Sequence, residues 1–599
     1  MLDQELDSSR LELLRAEDDN VVINLAGSAI EIEQMRTIFV DARGSGGDEI
    51  SWSSAYNDLQ AALDNAEAGD EIWLAAGTYL PTLGTDRAAT FTIPDGVKLY
   101  GGFAGGETSL DQRDVTSNVT ILSGDIGRAN DSSDNSFHVV TLTNVINEAV
   151  LDGLTITEGN AEGTFENGNG GGILSLNSNA LLANVIISNN SAVGFGGGIY
   201  SEDSQYRLID VDFVTNQATV NSGGGFYAVD GSNTFTNVSF LGNFAQLSGG
   251  GLYISNGSGD LIDVEFAANR ANDNGGAVFN DRPERFTLSE GVFLNNTALN
   301  NGGAIYNENR FSDGFNSISR SILQGNIAQD GGGVYNFRTN GLVKDSLFVD
   351  NRSLRGGGIY NVQSSPDIIN STFAGNIAQF GAAVNSEGDF EDRPNITNSI
   401  LFHNLSTTGR TQVFDDGPVT TVDNSLVEAG TNGSSNIDAE PRFVDPENFD
   451  YRLRDDSPAL NVGANNAVNT FDRIEDLDLA GNARIIDDTV DLGAYEGAQL
   501  APTPETPQLV ENVEIVFVDR DATGNNNGSS WANAYNDLQT ALHNAPLGSQ
   551  IWVAEGTYLP DASDRNVSFQ LRNTISLYGG FAGNETSLEQ RIFSIISLS

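Results

Sequence analysis

The sequence predicts an all-β protein, a right-handed parallel β-helix that begins with a capping helix. Nine copies of one phrase lie between Gly170 and Asn404, and successive copies are 25 to 29 residues apart. Such a period over nine copies predicts a solenoid rather than a globule. Helical repeats need about 33 residues or more, whereas these copies are rich in Gly, Asn, Ser, Val, Ile and Phe, which favour strands and tight turns. We therefore expect about nine regular coils, with irregular coils flanking them.

Each copy places one apolar residue near its start, which we call the anchor: Ile173, Ile199, Phe226, Leu252, Val278, Ile305, Val334, Ile359 and Val384. Each copy ends with a large apolar residue three positions before an asparagine. Stacked coils lie about 4.8 Å apart, so equivalent residues form columns. The asparagines should form a structural ladder of amide hydrogen bonds; they are Asn190, Asn216, Asn243, Asn269, Asn296, Asn326, Asn351, Asn376 and Asn404.

A second polar column precedes the closing apolar residue of each copy by three positions. Its members are Asn184, Asp210, Asn237, Asp263, Glu290, Arg320, Asp345, Asn370 and Asn398. The charge at this position changes freely from copy to copy. We therefore expect a turn that faces water.

The repeat phrases resemble a known family. GGAV at 275–278 and GGAI at 302–305, together with the FxxN tetrapeptides, are similar to the GGAI and FxxN repeats of the chlamydial polymorphic outer-membrane proteins. Related repeats occur in bacterial surface and secreted proteins of the pectin-lyase-like superfamily. The resemblance implies a parallel β-helix and a bacterial protein that is extracellular or on the cell surface. It implies no activity, because these motifs build the coil.

The composition restricts the partners. The formal charge is −53, from 82 acidic and 29 basic residues, which argues against nucleic acid and anionic membrane surfaces. The chain contains no cysteine, so disulfides and thiolate metal sites are excluded. No stretch is long enough for a membrane span, and no ordinary signal peptide is visible, so the sequence does not reveal an export route. We expect a monomer or a tandem array.

The chain divides into six predicted regions. They are residues 1–36, a partly ordered lead-in; 37–136, an N-terminal cap and the first coils; 137–404, the β-helix repeats; 405–497, the final coils and a closing segment; 498–512, a proline-rich linker; and 513–599, the start of a second β-helix module. In the first region, 20–25 and 29–33 read as strands. In the cap, Asn57 and Asp58 begin an amphipathic helix. The closing segment starts at Phe443, and its residues Tyr451, Leu453, Leu460 and Val462 should complete the last coil.

The sequence of the cap occurs twice in the chain. Trp52 and Trp73 recur as Trp531 and Trp552, both 479 residues later, and YGGFAGGETSLDQR recurs as YGGFAGNETSLEQR. We therefore expect this chain to be a fragment, or a truncated reading frame, of a longer tandem protein.

The sequence offers no catalytic residues that we would assign. A calcium-dependent lyase needs carboxylates on adjacent coils and a base, and the candidates are Asp210, Asp212, Asp263 and Glu265, with Arg207 and Arg270 nearby. A solvated acidic face explains the same carboxylates. The three histidines, His138, His403 and His543, leave little for a hydrolase triad. His403 reads as a surface or turn residue.

Two further patterns suggest ligands. Asp519, Asp521, Asn525 and Asn527 share one loop and could bind calcium, although an ordinary Asx/Gly turn also explains them and is the preferred interpretation; no other cofactor is indicated. The second pattern is an aromatic column whose residues each follow an anchor: Tyr200, Tyr227, Tyr253, Phe279, Tyr306, Tyr335 and Tyr360. Strand alternation should turn these rings outward, where they bind a ligand or stack to rigidify the sheet.

The prediction for function is a non-catalytic, secreted or cell-surface protein with a structural and adhesive role, whose partners are extracellular glycans, matrix or surface proteins. Two alternatives stay open. One is a secreted polysaccharide lyase or glycoside hydrolase of the pectin-lyase-like superfamily, and the other is an architectural spacer without a ligand.

Overall fold

The computed structural model describes residues 21–23, 32–34, 36–497 and 515–584, apart from gaps at 45, 47–49, 310–314, 390–391, 408–411, 418–419, 431–432, 469–476, 487, 546–549, 555, 561–568 and 570–575. The chain divides into two compact units, Met1–Ala498 and Gln499–Ser599. The predicted linker at 498–512 and most of the lead-in lie outside the described residues. The lead-in contributes two antiparallel strands, Val21–Ile23 and Ile32–Gln34.

The first unit is a right-handed parallel β-solenoid of about 16 turns, which confirms the predicted fold with more coils than the nine regular ones. The largest sheet, which we call the long sheet, contains 23 strands among the described residues. Its strands are Thr37–Val40, Glu71–Ala75, Gly77–Tyr79, Lys98–Phe103, Thr120–Ser123, Ala149–Asp152, Thr155–Thr157, Asn179–Ser188, Gln205–Val214, Ser232–Leu241, Ser258–Ala267, Arg285–Ser289, Val292–Leu294, Phe315–Ser319, Ile322–Gln324, Gly341–Lys344, Leu347–Val349, Asp367–Ile369, Thr372–Ala374, Asn395–Thr397, Ile400–Phe402, Thr421–Asp423 and Leu426–Val427.

The anchors lie in a second parallel sheet, the anchor sheet. Its twelve strands are Phe91–Thr92, Val140–Thr143, Ile173–Leu176, Ile199–Glu202, Phe226–Val229, Leu252–Ser255, Val278–Asp281, Ile305–Glu308, Val334–Phe337, Ile359–Val362, Val384–Glu387 and Val413–Asp416. Two-residue strands form the third side of the coil: Asn160–Ala161, Ser191–Ala192, Gln217–Ala218, Phe244–Ala245, Arg270–Ala271 and Thr297–Ala298, followed by the pair Ile377–Ala378 and Leu405–Ser406.

Short helices flank the coils. In the first unit they are Trp52–Ser54, Leu59–Asn65, Leu110–Gln112, Phe165–Gly168, Pro446–Asn448 and Asn465–Val468. The predicted capping helix is Leu59–Asn65, and the Asp58 carboxylate accepts a hydrogen bond from the Ala61 N–H at 3.1 Å, as an N-cap residue should. Its apolar face, with Leu59 and Leu63, packs into the core of the solenoid.

Left-handed residues turn the coil. The second polar column divides each long strand, and all nine of its residues have φ between 43° and 58°. The residue before each ladder asparagine is also left-handed. Three of these residues are neither Gly, Asn nor Asp: Thr215, Ala268 and His403, with φ of 53° to 56°. Asn and Asp tolerate this conformation better than other residues with a Cβ, which explains why they recur at the turns. His403 is therefore an exposed turn residue, as predicted.

The interior consists of stacked apolar columns. Every anchor is fully buried, and Phe213, Phe240, Phe266 and Phe293 stack with ring centroids 4.5 to 4.9 Å apart. Stacked rings at this spacing contribute about 0.5–1.5 kcal/mol per pair beyond their burial. The glycine runs allow the backbones to approach, since a Cβ on Gly276 would lie 2.2 Å from the carbonyl oxygen of Gly303.

The ladder asparagines are buried and fully hydrogen-bonded. From Asn190 to Asn376, each Nδ2 donates to Oδ1 of the next asparagine at 2.8 to 3.1 Å. Asn404 Nδ2, at the end of the ladder, donates to Gln412 Oε1 at 2.7 Å. In the middle of the ladder, Asn243 Nδ2 also donates to the carbonyl of Phe213, and the backbone N–H of Asn243 donates to Asn269 Oδ1. The ladder therefore ties three coils together at every step without leaving a buried amide unsatisfied.

The closing segment does not complete the last coil, which corrects the expectation from sequence. Its strands Phe443–Asp445 and Asp450–Leu453 form an antiparallel pair, and Tyr451 packs against Leu347, Val349 and Ala374 on the outer face of the long sheet. Val462 is 43% exposed. The outward positions of the last coils are apolar, so they form a surface that the closing segment covers.

This packing also corrects the expectation for the second polar column. Asp345, Asn370 and Asn398 are buried rather than facing water. The side chain of Asn398 accepts a hydrogen bond from the Ala464 N–H at 2.8 Å and donates to the Ala464 carbonyl at 3.1 Å.

The second unit, described alone, repeats the cap. It contains strands Ile515–Val518, Gln550–Ala554 and Ser576–Phe581 and helices Trp531–Asn533 and Leu538–Asn544. Trp552 and Phe581 stack at 4.7 Å, the same distance as Trp73 and Phe103 in the first unit.

Candidate functional site

The four candidate carboxylates of the lyase hypothesis line one open groove. Asp210 and Asp263 lie at the left-handed corner, and Asp212 and Glu265 lie two residues further along their strands. The groove has a volume of about 410 Å³ and opens on the outer side of the long sheet. The structure therefore brings the four residues to one face.

The carboxylates are not on adjacent coils. The strand register pairs Asp212 with Ser239 and Ser239 with Glu265, so an intervening coil separates the two acidic ones. Two coil spacings are about 9.6 Å, which is too far for two carboxylates to share one cation at ligand distances of 2.3–2.6 Å. The intervening side chains occupy the gap, because Asn237 Nδ2 and Ser239 Oγ donate to Asp210 and Asp212.

The two basic residues near these carboxylates have other contacts. Arg207 Nη1 donates to Glu148 Oε1 at 3.0 Å, and Arg270 Nη2 donates to Asn272 Oδ1 at 3.0 Å. Neither arginine lines the groove. In the part of the chain that the structure describes, no group of three or more His, Cys, Asp or Glu side chains is arranged to hold a metal ion.

The aromatic column lies outside the core, and its rings cover one another. From Tyr227 to Tyr335 the centroids are 4.6 to 4.9 Å apart and the planes differ by 7° to 19°. Tyr200 stacks on Tyr227 at 5.6 Å, and Tyr360 meets Tyr335 edge to face. A sugar ring needs an open aromatic face, whereas these rings cover one another's faces. Four of the seven rings are also buried: Tyr200, Phe279, Tyr306 and Tyr360. The geometry therefore favours the second role considered for the column, a ladder that rigidifies the anchor sheet.

Carboxylates hold the hydroxyl groups of this column. The Tyr200 hydroxyl donates to Glu202 at 2.8 Å, the Tyr306 hydroxyl donates to Glu308 at 3.2 Å, and Glu387 accepts from Tyr360. Burial raises the pKa of Tyr227 and of Tyr335 to about 12, so these phenols stay neutral at physiological pH.

The predicted calcium loop forms local turns. Asp519 Oδ1 accepts the Asp521 N–H at 2.9 Å, and Asn527 Oδ1 accepts from Ser529 Oγ at 2.8 Å. The N–H of Asn525 donates to Asn533. The bonds of Asp521 N–H to Asp519 and of Ser529 N–H to Asn527 are those of Asx turns, and calcium binding by the loop stays a prediction.

The sequence analysis did not find a second groove on the long sheet, which we call the hydroxyl groove. It has a volume of about 550 Å³, and its lining includes Arg285, Arg320 and Lys344. The lining also includes six hydroxyl side chains: Thr234, Thr236, Thr287, Ser289, Ser317 and Ser319. The signal was present in the sequence, because the outward positions of three of these copies carry Ser or Thr, with Asp260 and Ile262 in the copy that separates the first from the other two.

The sequence also did not predict the buried charged side chains beneath the closing segment. Arg484 is fully buried, with its Nε 3.3 Å from Asp345 Oδ1 and 3.9 Å from Glu496 Oε2. Asp478 and Asp491 are buried beside them. Each of these two carboxylates accepts backbone N–H groups: Asp478 from Asn482 at 2.7 Å and Asp491 from Asn461 at 2.6 Å.

Comparison with known proteins agrees with the repeat assignment. The family model of the Chlamydia polymorphic membrane protein repeat matches residues 184–202 and 290–308. Both segments run from the left-handed corner, across the ladder asparagine and the glycine run, to the anchor strand. Among curated protein sequences, no match to this chain is found.

Solved structures with a similar course include polysaccharide lyases. Pectate lyase Pel9A shares 13% identity, with 77% of this chain and 96% of that chain covered and a TM-score of 0.34. The PL6 family alginate lyase AlyGC also shares 13% identity, with 87% of this chain and 65% of that chain covered and a TM-score of 0.31. A rhamnogalacturonan lyase shares 11%, with coverages of 78% and 97% and a TM-score of 0.26. Similarity at this level carries no argument about activity.

Proposed function

We propose that this chain is a non-catalytic, secreted or cell-surface β-helix with a structural and adhesive role, and that it contacts extracellular glycans or surface proteins. The single observation that carries the proposal is the use of the repeat residues. The anchors, the stacked phenylalanines and the ladder asparagines all make contacts inside the coil. A rigid coil of this kind presents long lateral faces for contact.

The acidic groove supports the same proposal. Its carboxylates lie on alternate coils with amide and hydroxyl side chains between them, and neither nearby arginine lines it. β-Elimination from a uronate needs a base beside the substrate, and the lining residues of this groove include no Lys, Arg or His. Matches to repeats of a polymorphic membrane protein family support the surface location.

An activity assay tests the non-catalytic part. The full chain is incubated with pectate, alginate and sulfated polysaccharides, with and without calcium, and unsaturated uronates and reducing ends are followed. We expect no product above the level of a boiled sample. Product that disappears in an Asp212→Asn/Glu265→Gln variant would contradict the proposal and establish the acidic groove as a lyase site.

A binding assay tests the adhesive part. We expect the full chain to bind a subset of a glycan array or the extracellular matrix of cells. Binding should survive in the Asp212→Asn/Glu265→Gln variant, which is the matched control for the groove. A chain that binds no glycan, cell or matrix protein would overturn the adhesive role in favour of a spacer.

A further inference from the structure

An inserted loop forms the corner of one early coil, and we call it the corner loop (residues 124–136). In later coils this corner consists of one left-handed residue and one ladder asparagine. The ladder begins at Asn190, and the two preceding places in its column are held by Ser136 and Gly159, since the carbonyl of each accepts the N–H of a third-side residue in the next coil. The side chain of Ser136 therefore has a glycine, rather than an asparagine amide, as its neighbour in the column.

Three consecutive residues of the corner loop hold side-chain oxygens that are buried and that bond to no described residue. They are Asp134 Oδ1, Asn135 Oδ1 and Ser136 Oγ. Asn135 and Ser136 are 2% and 0% exposed, and Asn135 Nδ2 donates to the Glu158 carbonyl at 2.7 Å, which identifies Oδ1 as the unbonded atom. Buried polar atoms without a partner cost free energy and are few in native proteins. Within the described ranges, no other three consecutive residues carry such atoms.

Hydrogen bonds within the loop bring these residues to one corner. The Ser136 N–H donates to the Gly124 carbonyl at 2.9 Å. A Cβ on Gly124 would lie 2.6 Å from the Glu158 carbonyl oxygen, which is the atom that accepts the Asn135 amide. Asp134 precedes Asn135 and uses its Oδ2 to accept a backbone N–H of the loop at 2.9 Å. The unbonded oxygens therefore belong to residues that meet where the loop contacts the next coil.

The same corner carries negative charge without a matching cation. Asp125, Asp134 and Glu158 form no ion pair with any Lys or Arg of the described chain, and the arginines that contact the loop, Arg87 and Arg128, pair with other carboxylates. Burial and then the neighbouring charge of Asp125 raise the pKa of Glu158, so these two carboxylates lie close together. A buried water molecule would satisfy oxygen atoms but would leave the charge. A bound cation satisfies both.

We propose that the corner loop binds one calcium ion, with Asp134 Oδ1, Asn135 Oδ1 and Ser136 Oγ directed at it and with Asp125 and Glu158 as the neighbouring carboxylates. Calcium takes about six to eight oxygen ligands from carboxylates, amides, carbonyls and waters in a flexible geometry, whereas magnesium demands a near-ideal octahedron. The mixed set of oxygens in this loop suits calcium. An ion held partly by amide and hydroxyl oxygens needs no cluster of three acidic side chains.

This site differs from the candidate calcium loop of the second unit and goes beyond the proposed function. In that loop Asp519 and Asn527 accept local turn bonds, whereas the oxygens of the corner loop are buried and unbonded among the described residues. Calcium here has a structural role, because it joins an inserted loop to the corner of the next coil. Extracellular modules bind calcium with dissociation constants of about 10⁻⁴ to 10⁻³ M, and we expect this range.

Hydrogen exchange of the full chain tests the site. The protein is stripped with EDTA and dialysed into sodium chloride, which screens diffuse binding of cations to a chain of charge −53. Exchange is then compared in calcium chloride, in magnesium chloride and without a divalent ion. We expect calcium, and not magnesium, to slow exchange at least tenfold over residues 124–136 and over the adjoining corner at 158–160. Calorimetry of the same samples gives the affinity.

The variant Asp134→Asn removes one charge and keeps an oxygen for the backbone bond of the loop. It should bind calcium at least tenfold more weakly and lose the protection. One control is Asp131→Asn in the same loop, because the Asp131 carboxylate is already bonded to Arg128 and Ser133. The second control is Asp521→Asn in the second unit. Both controls should stay within twofold of the wild type, and melting curves without calcium check that each variant is folded.

Absence of calcium-dependent protection at residues 124–136 of the wild type would overturn the assignment, however the variants fold. Equal protection by magnesium would overturn the choice of calcium. Undiminished affinity in the folded Asp134→Asn variant would overturn the ligand set, and loss of binding in Asp521→Asn instead would place the ion in the second unit. None of these results bears on the adhesive role, which is tested by glycan and matrix binding.

Discussion

Arg484 lies with its Nε 3.3 Å from Asp345 Oδ1, which joins the closing segment to the left-handed corner of a coil 139 positions earlier in the chain. The same guanidinium donates through Nη2 to the carbonyls of Gly493 at 2.5 Å and Asp491 at 3.2 Å. Both charged side chains are almost fully removed from solvent. This ion pair therefore locks the closing segment against the flank of the long sheet.

Replacing Arg484 by methionine should release the closing segment. The change leaves the buried carboxylate of Glu496 without its cation and leaves Asp345 with only Lys344, and breaking a buried pair from one side costs about 3–5 kcal/mol. Hydrogen exchange should rise over residues 451–497. The control is Arg442→Met. Asp456, the ion-pair partner of Arg442, is exposed, so the free energy of unfolding should fall by less than about 1 kcal/mol in this variant. Unchanged protection in the Arg484 variant would show that apolar packing alone holds the segment.

Stability at the closing segment should depend on pH through Glu496. Burial raises the pKa of Glu496 to about 7, from its ordinary value of 4.5, and burial also raises the pKa of Asp345. The folded state binds the proton more tightly than the unfolded state, so this contribution is complete below pH 4.5 and is lost as the pH rises through about 7. The other charges that face Glu496 are Arg484, Asp491 and Asp478.

The Glu496→Gln variant measures this effect. Glutamine cannot ionise, so the loss of stability between pH 5 and 8 should be smaller in the variant by an amount of about 1.4 kcal/mol for each unit of pKa shift. Thermal melting across that range gives the two slopes. Parallel slopes for wild type and variant would contradict the assignment of the raised pKa to Glu496.

The asparagine ladder should respond strongly to one deletion. Asn269→Ala removes the acceptor of both the Asn243 side-chain amide and the Asn243 N–H. A buried donor without a partner costs about 1–3 kcal/mol, so chemical denaturation should show a loss of at least that size. Asn272→Ala is the matched control, because Asn272 is only half-buried and its side chain bonds to the exposed side chains of Gln246 and Arg270. Equal losses in the two variants would exclude the ladder as a main source of stability.

A left-handed turn residue offers a gain in stability. Ala268 has φ of 54°, and Gly242 and Gly375 hold the equivalent place in other coils with φ of 64° and 66°. A Cβ in this region costs about 1–2 kcal/mol, partly offset by the greater unfolded entropy of glycine. Ala268→Gly should therefore raise the melting temperature, and Gly242→Ala should lower it. A lower melting temperature for Ala268→Gly, together with a higher one for Gly242→Ala, would mean that the turn is not strained.

Much of the fold could be predicted because the solenoid is periodic. Each anchor and each ladder asparagine has its neighbours about one period away in the sequence, so a repeated residue type implies a column in the structure. The aromatic column follows from the same alternation, and its rings stack as the register requires. For the acidic groove, the sequence placed Asp212 and Glu265 on one face, and their separation of 53 residues, which is two periods, already implied an intervening coil.

The sequence by itself determined the period, the parallel coil, the direction of each repeated side chain and the second copy of the cap, because these depend on contacts between neighbouring copies. Only the tertiary structure decided that the closing segment folds back over Leu347 and Ala374, that Asp345 and Asn398 are buried beneath it, and that Leu477 adds to the hydroxyl groove. The physical reason is that burial of an outward face depends on packing between segments far apart in the chain, which no local pattern of hydrophobicity specifies.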